Sequence, residues 1–176
     1  LITECEPSTT SREAVFAEIQ RETGAEFVHP YNDPRVMAGQ ATCSAEMLEA
    51  VDGLDSIVAP IGGSGMISGT CLTVSHLAPK IEIFAAEPIQ ADDAARSFRA
   101  GHIIADDATV NIADRLQVPL KDNTWHFVSH YVVDVLKASE EEIIEAMKLT
   151  RQRFKIVMQP CCAVPLYVIL KNQGVF

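Results

Sequence analysis

The sequence predicts an α/β fold built on a parallel sheet, and two observations support this prediction. Short apolar runs that suit buried strands alternate along the chain with stretches of helical character, a pattern typical of parallel α/β proteins. A glycine-rich loop lies between one of these runs and the helix that follows it. Apolar residues make up 48% of the 176-residue chain, which is enough to form a hydrophobic core.

The part of the chain before the glycine loop is predicted to contain two helices and two strands. Thr10 and Glu13 have the spacing of a capping box and open the first helix. Asp33-Pro34 suits a helix start, and Gly53 ends the second helix. A nearly continuous apolar run after it predicts a buried parallel strand. The elements of this part are therefore helix 10–23, strand 26–28, helix 41–51 and strand 56–60.

The part after the loop continues the alternation. Pro79 closes the helix that begins at the loop, and Asp92 begins the next one. Ser139 and Glu142 form a second capping-box pattern, and Pro165 suits the first turn of the last helix. The predicted elements are helix 66–77, strand 81–86, helix 92–101, an irregular segment 102–122, strand 127–135, helix 139–154 and helix 163–170.

Composition argues against several classes of protein. The net charge of -10 disfavours nucleic-acid binding, which needs a basic face. No apolar run approaches membrane-spanning length, and the first residues do not resemble a signal peptide. Five cysteines without a Cys-x-x-Cys pair argue against a disulfide framework or a thiolate zinc site, so adjacent Cys161 and Cys162 are interpreted as small core residues. We expect a cytoplasmic protein, and a first residue other than Met suggests a fragment or a processed chain.

The glycine loop is a candidate phosphate site. Gly62-Gly63-Ser64-Gly65 would direct backbone N–H groups into one concavity at a helix N-terminus. A Walker loop is excluded because no lysine follows, and the Gly-x-Gly-x-x-Gly dinucleotide pattern is absent because Ser68 stands at its last position. Taken alone, the loop leaves two alternatives open: a phosphate site, or a tight turn that holds no ligand.

The residues around the loop resemble the serine racemase and threonine dehydratase family of fold-type-II pyridoxal-phosphate enzymes. Residues 57–69 are similar to the tetraglycine segment of that family. Their order and spacing are most similar to those of the eukaryotic-type serine racemases, over nearly the whole chain. The other similar segments are Phe27–Pro30, Ala38–Thr42, Ala86–Pro88, Ala91–Ala94, Ile112–Asp114, Val133–Val135 and Ser139–Ile143.

The resemblance implies a three-layer fold of the tryptophan synthase β type, with helices on both faces of the parallel sheet, present here in incomplete form. Residues 1–30 would be the C-terminal remnant of the small domain, and residues 31–176 most of the large domain. The full-length form would be a homodimer acting on a serine- or threonine-like amino acid. The cofactor, pyridoxal 5'-phosphate, would lie against Gly62, Gly63, Ser64, Gly65 and Met66.

The resemblance also indicates which further residues take part. The family's cofactor-binding lysine lies in a Ser-x-Lys-x-Arg-Gly-Ala stretch that no lysine here matches, so no catalytic residue is expected in this chain. Arg12 matches an arginine near the substrate carboxylate, and the alternative is an exposed arginine in the first turn of a helix. Glu87, Ala91 and Asp93 match a site for Mg²⁺ or Ca²⁺. The alternative is that an aspartate caps the next helix while Glu87 is solvated.

Four positions depart from the family pattern around the expected pocket. Ser64 replaces a glycine, and would either be strained at positive φ or direct its hydroxyl at the phosphate. Arg115 stands where the family has a glycine beside the cofactor ring, and Tyr31 where it has an asparagine. Gln159, with Pro160 and the two cysteines after it, replaces the usual Glu-Pro.

Two functions are compatible with these residues. The first is part of a serine racemase or dehydratase, which removes the α-proton and then racemises serine or eliminates its hydroxyl to give pyruvate and ammonia. The second is a truncated or diverged non-catalytic homologue that binds a phosphate ligand or a partner subunit. The isolated chain is expected to be inactive. His126 and His130 are placed on a strand-like stretch and interpreted as surface or packing residues.

Overall fold

A computed structural model describes residues 2–6, 9–104 and 110–176, without the side chains of Thr9 and Thr10. The Thr10 capping box and part of the irregular segment therefore lie outside the described residues. The helices are α1 (Thr9–Thr23), α2 (Pro34–Ala50), α3 (Gly65–Leu77), α4 (Asp93–Ala100), α5 (Asp122–Tyr131), α6 (Glu140–Phe154) and α7 (Pro160–Lys171). The strands are β1 (Ser56–Pro60), β2 (Glu82–Pro88) and β3 (Val132–Ala138), and short 3₁₀ turns span Ile89–Ala91 and Asp114–Leu116.

The three strands form one parallel sheet in the order β1-β2-β3. Val58 pairs with Phe84, and Ala85 pairs with Val135. Because the strands are parallel, all three carboxyl ends lie at one edge of the sheet. The predicted α/β fold with a parallel sheet is confirmed.

Each face of the sheet is covered by its own hydrophobic core. Ile57 and Ile83 pack on one side with apolar residues of α3, α4 and α5, including fully buried Val128. Ala86 packs on the other side with α6 and α7, including Ile143. Alternate residues of a strand point to opposite faces, so a run buried on both faces is apolar throughout. The three-layer arrangement is therefore confirmed.

Two helix starts form through the short-range capping hydrogen bonds that the sequence predicted. Ser139 Oγ accepts a hydrogen bond from the Glu142 amide, and Glu142 Oε2 accepts one from the Ser139 amide at 2.8 Å, so the capping box forms as predicted. Asp33 Oδ1 accepts from the Arg35 amide at 2.8 Å, and α2 begins directly at Pro34. The prediction of helix 41–51 was therefore wrong about where this helix starts.

Three other boundaries differ from the prediction. Residues 26–28 do not form a strand: Phe27 instead packs against Phe16, with ring centroids 4.2 Å apart, and Val28 is 51% exposed. The predicted strand 127–135 is helical up to Tyr131, because Thr124 Oγ1 bonds to the backbone of Lys121 and holds the first turn of α5. The last helix begins at Pro160, which suits a first turn because it lacks an N–H.

Candidate functional site

The carboxyl edge of the sheet brings together most of the predicted site residues. The glycine loop follows β1, Glu87 lies near the end of β2, and Ser139 follows β3. Asp114–Leu116 forms a turn against the same edge, where Leu116 contacts the loop backbone. Crevices at the carboxyl ends of parallel strands are where α/β proteins bind ligands.

Ser64 occupies the left-handed region within the glycine loop. Its φ is 71° and it is the N-cap of α3. Its hydroxyl donates a hydrogen bond of 2.9 Å to the Gly62 carbonyl, and its own carbonyl accepts one of 3.0 Å from the Ser68 amide. The sequence posed two alternatives for Ser64, a strained positive φ or a hydroxyl directed at the phosphate. The first holds, because φ is positive and this region disfavours a non-glycine residue. The hydroxyl bonds within the loop instead.

The loop backbone is packed closely on two neighbouring segments. A Cβ on Gly62 would lie 2.8 Å from the Leu116 Cα, and one on Gly63 would lie 2.6 Å from the ring of Tyr31. A side chain at either position would displace its neighbour. The glycines therefore permit an approach that no other residue type allows.

The loop fits a phosphate group by the chemistry of its donors. The first amides of α3 have no carbonyl four residues earlier within the helix, and the helix N-terminus carries partial positive charge. Gly63, Ser64 and Gly65 are buried, whereas Met66 is 38% exposed. Donors arranged in this way bind an anion without a basic side chain.

Tyr31 lies between the loop and a cavity of about 170 Å³ beside α1. Its hydroxyl donates to the Pro119 carbonyl at 3.1 Å, and burial raises its pKa, with a further contribution from the Glu13 charge. His29 accepts hydrogen bonds at Nδ1 from the Tyr31 and Asn32 amides. Its pKa is lowered mainly by burial and, to a smaller extent, by the charge of Lys121. A neutral His29 thus fixes the backbone that carries Tyr31.

Arg12 lines the same cavity from the exposed side of α1. The charge of Arg12 lowers the pKa of the Tyr31 hydroxyl, but the larger effect of burial leaves that pKa raised. Neighbouring Glu13 forms an ion pair of 3.5 Å with Lys121, which ties α1 to the start of α5. The first helix therefore presents Arg12 toward the segment that lies on the glycine loop.

Glu87 is buried and caps α4. It is 1% exposed, and its Oε1 accepts a hydrogen bond of 2.7 Å from the Ala95 amide. Its Oε2 accepts one of 3.3 Å from the Ala94 amide. The alternative in which an aspartate caps this helix and Glu87 is solvated is therefore wrong: Asp92 occupies the N-cap position without a side-chain capping bond.

The pKa of Glu87 is raised to about 9, mainly by burial and also by the charges of Asp93 and Asp92, while the hydrogen bonds from the Ala95 and Ala94 amides lower it. Asp93 is 3% exposed. Asp92 forms ion pairs of 2.9 Å with both Arg96 and Lys137. The described residues contain no group of three or more His, Cys, Asp or Glu side chains arranged for a metal ion.

Two residues that position the site were missed by the sequence reasoning. Glu140 Oε1 accepts a hydrogen bond of 2.7 Å from the Ile112 amide, and Asn111 Oδ1 accepts one of 2.9 Å from the Ala113 amide. Together they hold the backbone that leads into the turn carrying Arg115. The Asn111 bond to the amide two residues later is a local turn signal that the sequence offered.

The cysteines and the histidine pair differ from their predicted surroundings. Cys161 is buried but Cys162 is exposed, so only one of them is a core residue. Their Sγ atoms lie 4.0 Å apart. His126 and His130 lie one turn apart on α5 rather than on a strand, are exposed, and have ring centroids 4.5 Å apart. The placement of these histidines on the surface is confirmed.

Comparison with known proteins yields consistent matches along the chain. The profile of the family described as "Pyridoxal-phosphate dependent enzyme" matches residues 2–176. The beta-hydroxyaspartate dehydratase of Paracoccus denitrificans is 64% identical over the whole chain, which covers 56% of that protein. The serine racemase of Arabidopsis thaliana is 44% identical over 95% of the chain and 50% of its own length.

Solved structures agree with the sequence matches. The structure of maize serine racemase superposes with a TM-score of 0.95 and 40% identity, over 99% of this chain and 53% of that one. The chain thus spans about half the length of the relatives it matches.

Proposed function

The chain belongs to the pyridoxal-phosphate dependent enzyme family, and from that premise we propose that it is part of a dehydratase for β-hydroxy amino acids, with β-hydroxyaspartate as its main substrate. The reaction removes the α-proton, expels the β-hydroxyl as water and releases ammonia after hydrolysis. One observation carries the proposal: a buried glycine loop at the carboxyl end of a parallel strand, heading α3. The 64% identical dehydratase supports the choice of substrate.

The proposed cofactor site is the loop from Gly62 to Met66. Its amides and the N-terminus of α3 would hold the phosphate of pyridoxal phosphate. When bound, this cofactor stabilises the negative charge that develops on the substrate α-carbon. In the proposed division of the protein, residues 31–176 are most of the cofactor-binding domain and residues 1–30 are the end of a smaller one.

Arg12 is proposed to bind the substrate α-carboxylate. Its support is its position on the cavity wall beside Tyr31, which lies on the glycine loop. A guanidinium donates two parallel hydrogen bonds to a carboxylate and so fixes its orientation. Arg12 would therefore orient the substrate relative to the cofactor phosphate.

A divalent cation is proposed to bind the Glu87 and Asp93 carboxylates and the Ala91 carbonyl. Buried oxygen donors close to one another suit Mg²⁺ or Ca²⁺, and a cation would stabilise the ionised form of Glu87, which burial and then the charges of Asp93 and Asp92 disfavour. The proposed role is to fix the start of α4 beside the sheet edge. We also propose, from the resemblance alone, that the full-length protein is a cytoplasmic homodimer.

Two alternatives compete with the dehydratase. Racemisation of serine is favoured by the similarity to plant serine racemases. A diverged homologue without activity is favoured by the left-handed backbone of Ser64, which disfavours a non-glycine residue, and by the presence of Arg115 in the turn that packs on the loop.

The deciding experiment uses the full-length protein that contains this chain. Purified with pyridoxal phosphate, it is assayed for ammonia and 2-oxo acid released from β-hydroxyaspartate and from serine, and for the interconversion of serine enantiomers. We expect elimination, with a higher kcat/KM for β-hydroxyaspartate. Racemisation that exceeds elimination would support the racemase instead. Cofactor binding without turnover of any substrate would support the non-catalytic homologue.

A further inference from the structure

Arg115 is an exposed cation whose neighbour in the chain, Leu116, packs on the glycine loop. It is the middle residue of the 3₁₀ turn Asp114–Leu116. The next residue, Leu116, packs so closely on the loop that a Cβ on Gly62 would lie 2.8 Å from its Cα. The guanidinium is therefore attached to a backbone segment in contact with the proposed phosphate site.

The backbone that carries Arg115 is held firmly. The Leu116 amide donates a hydrogen bond of 2.9 Å to the Ala113 carbonyl and so closes the turn. Leu116 itself is only 8% exposed. The preceding segment is fixed by a hydrogen bond of 2.7 Å that the Ile112 amide donates to the Glu140 carboxylate. The Cα of Arg115 has a defined position, while its side chain remains accessible to a ligand.

The lysines near this edge already have carboxylate partners. Lys121 pairs with Glu13 at 3.5 Å, and Lys137 pairs with Asp92 at 2.9 Å. Arg115 forms no ion pair within 4.0 Å with any carboxylate in the described ranges, not even with its neighbour Asp114. Among these three cations, Arg115 is the one whose charge the described part of the chain does not neutralise.

We propose that Arg115 binds the second carboxylate of a dicarboxylic β-hydroxy amino acid, which makes it a residue that determines substrate specificity. The proposal rests on the proposed dehydratase function and names the part of the substrate that this residue recognises. A guanidinium matches a carboxylate in charge and in geometry, whereas the hydroxymethyl group of serine offers it no anionic partner. By resemblance, the family has a glycine at this position.

Activity of the full-length protein provides the first test. Arg115→Ala should lower kcat/KM for β-hydroxyaspartate by about 100-fold while leaving kcat/KM for serine within about threefold. Arg115→Lys should recover part of the loss, because lysine restores the positive charge but cannot donate the two parallel hydrogen bonds of a guanidinium. Arg151→Ala removes an exposed arginine from α6, away from the site, and should change neither value.

Binding of unreactive acids provides a second test that does not depend on turnover. By calorimetry, the wild-type protein should bind succinate at least tenfold more tightly than butyrate, and Arg115→Ala should abolish that difference. Binding of pyridoxal phosphate itself should be unchanged by the substitution.

The outcomes separate this proposal from the one on which it rests. If the wild type eliminates β-hydroxyaspartate and Arg115→Ala keeps the same preference, the specificity proposal is wrong and the dehydratase stands. Weaker binding of pyridoxal phosphate by Arg115→Ala would assign the guanidinium to the cofactor and overturn the proposal. If the wild type does not act on β-hydroxyaspartate, the dehydratase proposal fails, and equal binding of succinate and butyrate would then exclude a carboxylate site at Arg115 as well.

Discussion

Glu87 and Ala95 join the end of β2 to the first turn of α4 through a hydrogen bond of 2.7 Å between the Glu87 Oε1 and the Ala95 amide. The carboxyl group is shielded from water, and its pKa is about 9 because burial opposes its ionisation. The helix start is thus capped by a group whose protonation differs between the folded and the unfolded chain.

Glu87→Gln should reduce the dependence of stability on pH. Below about pH 4.5 the carboxyl is protonated in both states; above it, the unfolded chain loses the proton that the folded chain keeps until about pH 9. The free energy of unfolding should therefore fall with rising pH in this window, at up to about 1.4 kcal/mol per pH unit. Denaturant unfolding at pH 5–9 with a chelator present measures the slope. Exposed Glu82→Gln is the control, and a slope that Glu87→Gln leaves unchanged would contradict the assignment.

At position 64, glycine should be tolerated better than alanine. Both substitutions remove the hydroxyl that bonds to Gly62, but only alanine keeps a side chain at a φ of 71°. Ser64→Gly should be more stable than Ser64→Ala by about 1 kcal/mol in chemical unfolding. Ser68 lies within α3, where the order should reverse and alanine should be favoured by ~1 kcal/mol. The same order at both positions would show that residue 64 does not adopt the left-handed conformation.

Gly63→Ala should destabilise the protein by about 1–3 kcal/mol, because the new Cβ would lie 2.6 Å from the Tyr31 ring and overpack the contact. Adding Tyr31→Ala should recover part of this loss, a coupling that a double-mutant cycle quantifies. Gly39→Ala is the matched control: apart from its chain neighbours and the nearby backbone of α2, no atom lies within 4 Å of its Cβ position, so helix propensity should make it stabilising by ~0.5–1 kcal/mol. Independent effects of the two substitutions would contradict the close contact.

Mg²⁺ or Ca²⁺ should raise the melting temperature if the proposed cation site exists. A cation at 100 times its Kd adds about 2.7 kcal/mol to the free energy of unfolding by mass action. Asp93→Asn should remove most of the cation-dependent shift in a calorimetric scan, because it removes one of two carboxylate ligands. Asp92→Asn should preserve it, since Asp92 is engaged with Arg96 and Lys137. An equal response to the cation in wild type and Asp93→Asn would exclude the site.

The sequence predicted β2 to within two residues at each end because that strand is buried on both faces. Ser56–Pro60 has exactly the predicted bounds, since a short apolar run between polar segments admits little else. The boundary between α5 and β3 was predicted wrongly because β-branched and aromatic residues, which favour strands, dominate 127–135. The helix is stabilised instead by the Thr124 hydroxyl and by the burial of Val128. That packing depends on α3, which is distant in sequence.

The site was predictable where the chemistry is local. The glycine loop is contiguous, so its place between β1 and α3 followed from the order of residues. The capping of α4 by Glu87 was not predictable in this way, because it depends on the three-residue turn that folds the chain back between Glu87 and Asp93. The contact of Tyr31 with Gly63 joins positions on different segments, and only the fold reveals it.

The packing of Tyr31 on Gly63 also bears on how the family can change over time. Since the ring takes up the space that a side chain at position 63 would need, the two positions share a fixed volume. Related sequences with a smaller residue at position 31 should accept a larger one at position 63, whereas an aromatic residue at 31 should always accompany glycine. A residue other than glycine at position 63 should therefore never occur together with an aromatic residue at position 31, even though the two residues lie on separate segments.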